Sequence, residues 1–213
     1  IVLNPALSVR APRYSALEGK TPEITVQQCR MLLASIRLNT PVDYRDRAVI
    51  AVLIYTAARA GAVARLRIED FVHDGTQYSF RFAEKGGKSR LIPVRSNLEE
   101  FVREYLSIAA LGDAPADGPM FRSGYGRTGR LTEYAMSAID ICRMVKRRLK
   151  AAGITTAASP HSFRACAATD LLLQGVPLED VQYLLGHSDS RVTKLYDRRA
   201  RRVTRNIVER ISV

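Results

Sequence analysis

His161-Ser-Phe-Arg164, then Leu184-Leu-Gly-His187, then Thr193-Lys-Leu-Tyr196-Asp197 follow one another near the C-terminus, with Tyr196 nine residues beyond His187. On a helix, the spacing of His161 and Arg164 stacks an imidazole and a guanidinium one turn apart. A second imidazole and a phenol then arrive within a chain segment short enough to fold around one phosphate. Breaking a phosphodiester without a metal needs a nucleophile, cations that neutralise the non-bridging oxygens as charge grows, and a proton source for the departing oxygen. Arg164 is a fitting cation, because a guanidinium is permanently charged and meets a phosphate through two parallel hydrogen bonds. Tyr196 is the candidate nucleophile. A free phenol titrates near ~10, so it needs neighbouring cations or a base to become phenolate-like as it attacks. His161 and His187 are suited to that neighbourhood, since imidazole donates or accepts near neutral pH. Taken singly, a His-x-x-Arg pair is usually an exposed polar face and a tyrosine before charged residues a half-buried anchor. The joint spacing is far more specific than its parts.

That joint pattern resembles the end of the catalytic domain of the tyrosine recombinases, the phage-integrase family. The family also carries an upstream arginine, in a box written Thr-Gly-x-Arg-x-x-Glu-x-x-x-Leu. Here Tyr55-Thr-Ala-Ala-Arg59-Ala-Gly-Ala-Val-Ala-Arg65-Leu-Arg67 follows the apolar run Ala48 to Tyr55 and is similar to that box, with Arg59 at the catalytic position. Ala57 stands where glycine is usual, and Ala62 where a glutamate usually supports the arginine. Arg65 and Arg67 compete for the role. Arg59 is preferred because it is expected to close a helix before Gly61, where a buried turn can aim it, whereas the other two flank a strand-like start.

Gln77-Tyr-Ser-Phe-Arg-Phe-Ala83 and Ser89-Arg-Leu-Ile-Pro-Val94 bracket Glu84-Lys85-Gly86-Gly87-Lys88. Tyr78, Phe80 and Phe82 alternate with polar residues and Gly86-Gly87 signals a tight turn, so a β-hairpin is expected. Turn lysines ordinarily serve solubility. The resemblance implies more: the family's general-acid lysine maps to Lys85, leaving Lys88 and Arg90 for the DNA backbone.

The composition is compatible with such a partner. The chain has 213 residues, 46% of them hydrophobic, enough for a real core of one or two domains. Lys and Arg total 33 against 21 acidic residues, a formal net charge of +12. Such an excess suits a polyanion, with the phosphate backbone supplying most of the affinity and a steep salt dependence. No apolar stretch approaches the ~20 residues that span a bilayer, so no membrane partner is expected. Cys29, Cys142 and Cys166 lack metal or disulfide spacing and are expected to be reduced thiols in a cytoplasmic, nucleoid-associated protein. No zinc, nucleotide-binding or dinucleotide motif is present, and neither metal nor cofactor is expected.

The expected fold is mainly α with a small antiparallel β-sheet (α+β). Residues 1–20, with Pro5 and Pro12 among basic residues, read as a linker remnant, residues 21–198 as the catalytic domain and residues 199–213 as an amphipathic tail helix. Helices are expected over Pro22 to Leu38, Tyr44 to Ala58, Ala62 to Arg67, Ser96 to Ala110, His161 to Gln174, Leu178 to Leu185 and Arg191 to Tyr196. A third strand is expected near Ile68 to His73, and a long loop over Gly112 to Arg130. Thr132 is expected to cap a helix running to Ala151, with Ala138, Cys142, Val145 and Leu149 as its apolar stripe and Arg143, Lys146, Arg147 and Lys150 on a solvated basic face. In the family the start of that helix approaches the major groove, so Thr132, Glu133 and Tyr134 are base-reading candidates.

The resemblance covers the chain from about Thr21 onward. It implies a site-specific DNA recombinase that cleaves and rejoins double-stranded recombination sites through a 3′-phosphotyrosine, with Arg59, Lys85, His161, Arg164, His187 and Tyr196 as its catalytic set. It further implies an N-terminal DNA-binding domain ahead of this segment and self-association on DNA from dimer to tetramer, with the tail exchanged between protomers. A type IB-like topoisomerase shares the same attack but rejoins the same strand. A non-catalytic DNA-binding regulator on the same fold is the other alternative.

Overall fold

The structure, a computed structural model, describes residues 22–83 and 89–187 together with residues 193, 194 and 196. The expected linker over residues 1–20, Lys85 and Lys88, and the expected tail over residues 199–213 lie outside the described residues.

Helix α2 (Pro41–Tyr55) is the centre of the packing. Ala48 to Leu53 are all fully buried, so its C-terminal half is apolar around the whole circumference, as a core helix must be. Thr40 caps it reciprocally with Asp43, and Pro41 fills the first turn, where its missing N–H costs nothing. Around it pack α1 (Val26–Ser35), α3 (Ala60–Ala64), α4 (Ser96–Ile108), α5 (Ala138–Ala151) and α6 (Pro160–Leu173). Helix α7 (Leu178–Leu185) leans on α6. Helix α1 begins at the Thr25–Gln28 capping box rather than at Pro22, α2 at Pro41 rather than Tyr44, α3 at Ala60 rather than Ala62, and α6 one residue early at Pro160.

A short 3-10 turn (Ile68–Asp70) leads into β1 (Phe71–His73), which pairs with β2 (Tyr78–Ala83), and β2 pairs with β3 (Ser89–Pro93), all antiparallel. The register Ala83↔Ser89 closes the expected hairpin. Phe80 and Phe82 point into the core from β2. On β3 the alternation turns Arg90 and Ile92 inward and Leu91 outward.

The largest departure concerns Thr132. Leu131–Ala135 is a strand, β5, paired antiparallel with β4 (Arg122–Gly124), so that β4 interrupts the expected loop and β5 the expected helix. Helix α5 starts only at Ala138, capped by Ser137, whose hydroxyl accepts from the Asp140 N–H at 3.1 Å while the Asp140 carboxylate answers the cap. Thr132 has no acid three residues on and Ser137 does, so the reciprocal cap decides the start. The basic face is solvated as expected, with Arg143, Lys146, Arg147 and Lys150 all exposed, while the neighbouring Arg148 is half-buried toward α2. Arg147 and Arg148 both donate to the Asp46 carboxylate at 2.8 Å, and Arg45 holds its other oxygen.

Candidate active site

Helix α2 ends at Tyr55, and the next three residues turn back into the core. The Thr56 hydroxyl donates to the Val52 carbonyl at 2.7 Å, and Ala57 adopts a left-handed conformation with φ +50°. That turn delivers Arg59, which is exposed and opens α3 rather than closing a helix. Ala62 packs against the core as an ordinary apolar side chain.

From α6 comes Arg164, 1% exposed. Its Nη1 donates to the Ala57 carbonyl at 2.6 Å and its Nη2 to the Leu185 carbonyl, so one guanidinium joins the turn before Arg59 to the end of α7. Its Nε is buried with no partner among the described residues, leaving donor capacity unspent. Arg90, expected on the DNA backbone, is placed differently: it is 8% exposed and donates to the carbonyls of Tyr183 and Leu184. Two arginines therefore take three successive carbonyls at the C-terminal end of α7, that of Tyr183 shared with the Gly186 N–H. Gly186 then takes the left-handed position at φ +58° that ends the helix, and His187 follows it. The imidazole is aimed by a fully capped terminus.

His161, in the first turn of α6, meets the phenol of Tyr196: Oη lies 3.2 Å from Nε2. Tyr196 is 8% exposed and packs with Ala57, Ala168, Leu172, Val181 and Leu185. Its ring lies nearly parallel to that of His187, with centroids 6.3 Å apart. His187 Nδ1 is 3.0 Å from the hydroxyl of Thr193, a fully buried residue that the sequence reading passed over.

Burial, followed by the charges of Arg164 and Arg59, lowers the pKa of His161. Burial and the positive charges of Arg164 and Arg59, with lesser contributions from His161 and Arg90, bring that of His187 down to about 4. Burial and the facing Arg59 bring Arg164 down to about 10, still a cation at neutral pH. Both imidazoles are therefore neutral there, each with one nitrogen that donates and one that accepts. Arg59 is the upstream arginine whose charge these groups feel, which favours it over Arg65 and Arg67.

Arg59, His161, Arg164, His187 and Tyr196 thus come together, drawn from the turn after α2, from α6, from the end of α7 and from the segment beyond it. Thr132, Glu133 and Tyr134 lie apart on β5. The Thr132 hydroxyl is engaged with that of Ser123 at 2.6 Å, while Glu133 and Tyr134 are exposed. The sequence reading missed the clamp made by Arg90 and the contact of Thr193. Adjacent apolar Leu91 and Ile92 leave the inward face of β3 unmarked in the sequence, so no periodic signal singles out Arg90.

The model of the phage integrase family matches residues 23–202. The tyrosine recombinase XerD of Corynebacterium glutamicum is 32% identical over 178 residues, covering 81% of this chain and 55% of that protein. XerD of Shewanella oneidensis is 31% identical over 201 residues, covering 93% and 63% respectively. The chain spans less than two thirds of the length of these curated relatives. Among solved structures, the XerH site-specific recombinase in a post-cleavage complex with a palindromic difH substrate superposes with a TM-score of 0.68 at 23% identity, covering 82% of this chain and 49% of that one. A lambda integrase dimer bound to a COC′ core site gives 0.63 at 18%, covering 91% and 64%. At those identities the structural likeness establishes the fold, and the sequence matches establish the rest: the chain belongs to the phage integrase family.

Proposed function

We propose that this chain is the catalytic part of a site-specific DNA recombinase that cleaves and rejoins double-stranded DNA through a 3′-phosphotyrosine. The observation that carries this reading is the 3.2 Å approach of the Tyr196 phenol to His161 Nε2 beside two arginines. Neutral His161 accepts the phenol proton as the oxygen attacks phosphorus. The bond from phosphorus to the 5′ oxygen breaks, and Lys85 gives that oxygen its proton. Arg59 and Arg164 balance the charge that grows on the non-bridging oxygens, and His187 donates a hydrogen bond to one of them. The phosphotyrosine conserves the bond energy, so the 5′-hydroxyl of a partner strand can reverse the step.

Within this reading Lys88 contacts the DNA backbone, and Glu133 and Tyr134 on the exposed strand β5 approach base edges, since the Thr132 hydroxyl is already occupied. Self-association on DNA and a nucleoid setting complete it. The sibling topoisomerase chemistry would rejoin the original strand and needs no second site.

Tyr196→Phe keeps the ring and its packing while removing the attacking oxygen. On DNA flanking the chain's own gene, the variant is expected to retain binding and lose every covalent adduct, while the unaltered chain exchanges strands between two sites on one substrate. Adducts formed by the phenylalanine variant would remove Tyr196 from the role, and rejoining without exchange would assign the topoisomerase reaction.

A further inference from the structure

Thr193 is fully buried, and its hydroxyl lies 3.0 Å from His187 Nδ1. The same residue's carbonyl accepts the Tyr196 N–H at 3.0 Å, so one short turn carries both the nucleophile and the group that meets His187. A neutral imidazole bears its single proton on one nitrogen, and which one depends on what the other nitrogen meets. A phosphate oxygen only accepts. His187 can donate to it only if Nε2 holds the proton, which leaves Nδ1 as an acceptor in need of a donor. A threonine hydroxyl supplies that donor, because its hydrogen rotates to suit.

We propose that Thr193 is a positioning residue: it donates to Nδ1 of His187 and holds the ring as the Nε2–H tautomer, so that seating of the Tyr196 segment prepares the phosphate donor. The proposal rests on the strand-cleavage reading above and deepens it. Burial first, and then Arg164, Arg59, His161 and Arg90, the charged and titratable groups facing His187, keep it neutral, and only a neutral ring has a tautomer to select. Arg164 and Arg90 fix the ring's position through the end of α7, and Thr193 fixes its proton. A donor set before substrate arrives needs no reorganisation during the reaction. The arrangement also links two requirements of catalysis, since a Tyr196 turn that leaves the site takes the Thr193 hydroxyl with it.

The test uses the whole chain labelled with ¹⁵N at histidine. It has three histidines, His73, His161 and His187, and the His187 signals are those lost in His187→Gln. At pH 7 the unaltered protein and Thr193→Ser are expected to show a protonated Nε2 and a hydrogen-bonded, unprotonated Nδ1. Thr193→Val, which keeps the shape without the hydroxyl, is expected to move the Nδ1 resonance to that of an unbonded acceptor or to populate the other tautomer. On nicked duplexes cut from the DNA flanking its gene, the valine variant is expected to form adducts roughly tenfold more slowly, the size of one net hydrogen bond, and serine to restore the rate. A proton on Nδ1 in the unaltered protein overturns the proposal. So does a valine variant that cleaves at the original rate, or a serine variant that rescues neither readout. A chain that forms no adducts at all defeats the strand-cleavage reading instead, and the nitrogen spectrum then decides the Thr193 assignment alone.

Discussion

Ala57 holds a left-handed backbone conformation at φ +50° while fully buried, and its carbonyl receives Arg164. An L-residue in that region is strained by about 1–2 kcal/mol, a cost that glycine escapes. The methyl packs in the cluster beneath Tyr196 and recovers about 0.8 kcal/mol, and glycine would add about 0.4–1 kcal/mol of unfolded-chain entropy. These contributions nearly cancel. Ala57→Gly is therefore expected to leave the urea midpoint within about 1 kcal/mol of the original, whereas Ala57→Val, a β-branched residue at positive φ, is expected to lose more than about 2 kcal/mol. A valine variant of unchanged stability would show that the turn is not strained. The imidazoles make a second prediction at this scale. Burial and the neighbouring guanidinium charges keep His161 and His187 unprotonated below the unfolded value of ~6.5, His187 down to about 4. In that window the unfolded chain binds more protons than the folded one, so stability rises with pH and is lost as pH falls from about 6.5. The Tm is expected to drop between pH 6.5 and 4.5, and His187→Gln to flatten the drop. A slope indifferent to that substitution would assign it to other groups.

Helices α2 and α5 are tied by charge as well as by packing. Asp46, fully buried on α2, accepts from Arg45 at 2.6 Å and from Arg147 and Arg148 of α5 at 2.8 Å, and Arg148 also reaches Asp43 at 2.6 Å. Burial would raise the Asp43 pKa, but hydrogen bonds from Thr40 and Arg148 outweigh it and hold the carboxyl low. Removing a buried carboxylate strands its cations, at about 3–5 kcal/mol, a large part of the about 5–15 kcal/mol that a domain usually has. Asp46→Ala is expected to shift denaturant unfolding by that amount; a shift below about 1 kcal/mol would mean that the cluster acts like a surface pair. The sequence could not announce this network, since its partners lie 101 and 102 residues apart and periodicity reports only local faces. What periodicity does report was legible: the Tyr78, Phe80, Phe82 alternation and the span of α7, Leu178–Leu185, came out as read. The start of α5 was legible too, in the Ser137–Asp140 box, whereas Thr132 is a cap by residue type alone and lacks the reciprocal acid. Arg90 shows the remaining ambiguity. Leu91 and Ile92 are both apolar, so the strand pattern alone does not say which neighbour faces in, and only the open carbonyls of α7 settle it.

At the scale of the whole molecule, the proposed nucleophile, Tyr196, is seated within its own chain. Tyr196 contacts His161, packs against Leu172 and Leu185, and shares a turn with Thr193, which reaches His187. Any exchange between protomers then belongs to residues 199–213, outside the described residues, where Val203, Ile207, Val208 and Ile211 recur at helical spacing opposite Arg202, Arg205, Glu209 and Arg210. A helix that short is marginal in isolation and gains stability only by burying its stripe. The proposed division of labour is a tyrosine acting in cis and a tail docking in trans. Two experiments separate the parts. Mixing a Tyr196→Phe chain with an Arg164→Ala chain is expected to give no more adduct than either alone, because each site lacks a member that the other chain cannot supply; recovered cleavage would mean that the tyrosine crosses between protomers. Deleting residues 200–213 is expected to leave single-site binding, with its steep salt dependence, while abolishing recombination and higher-order complexes. A truncated chain that still assembles on DNA and recombines at the original efficiency would confine the tail to its own domain, and the contacts that bring protomers together would then have to be sought on the exposed faces of α6 and α7, where Leu173 is 61% and Tyr183 66% exposed.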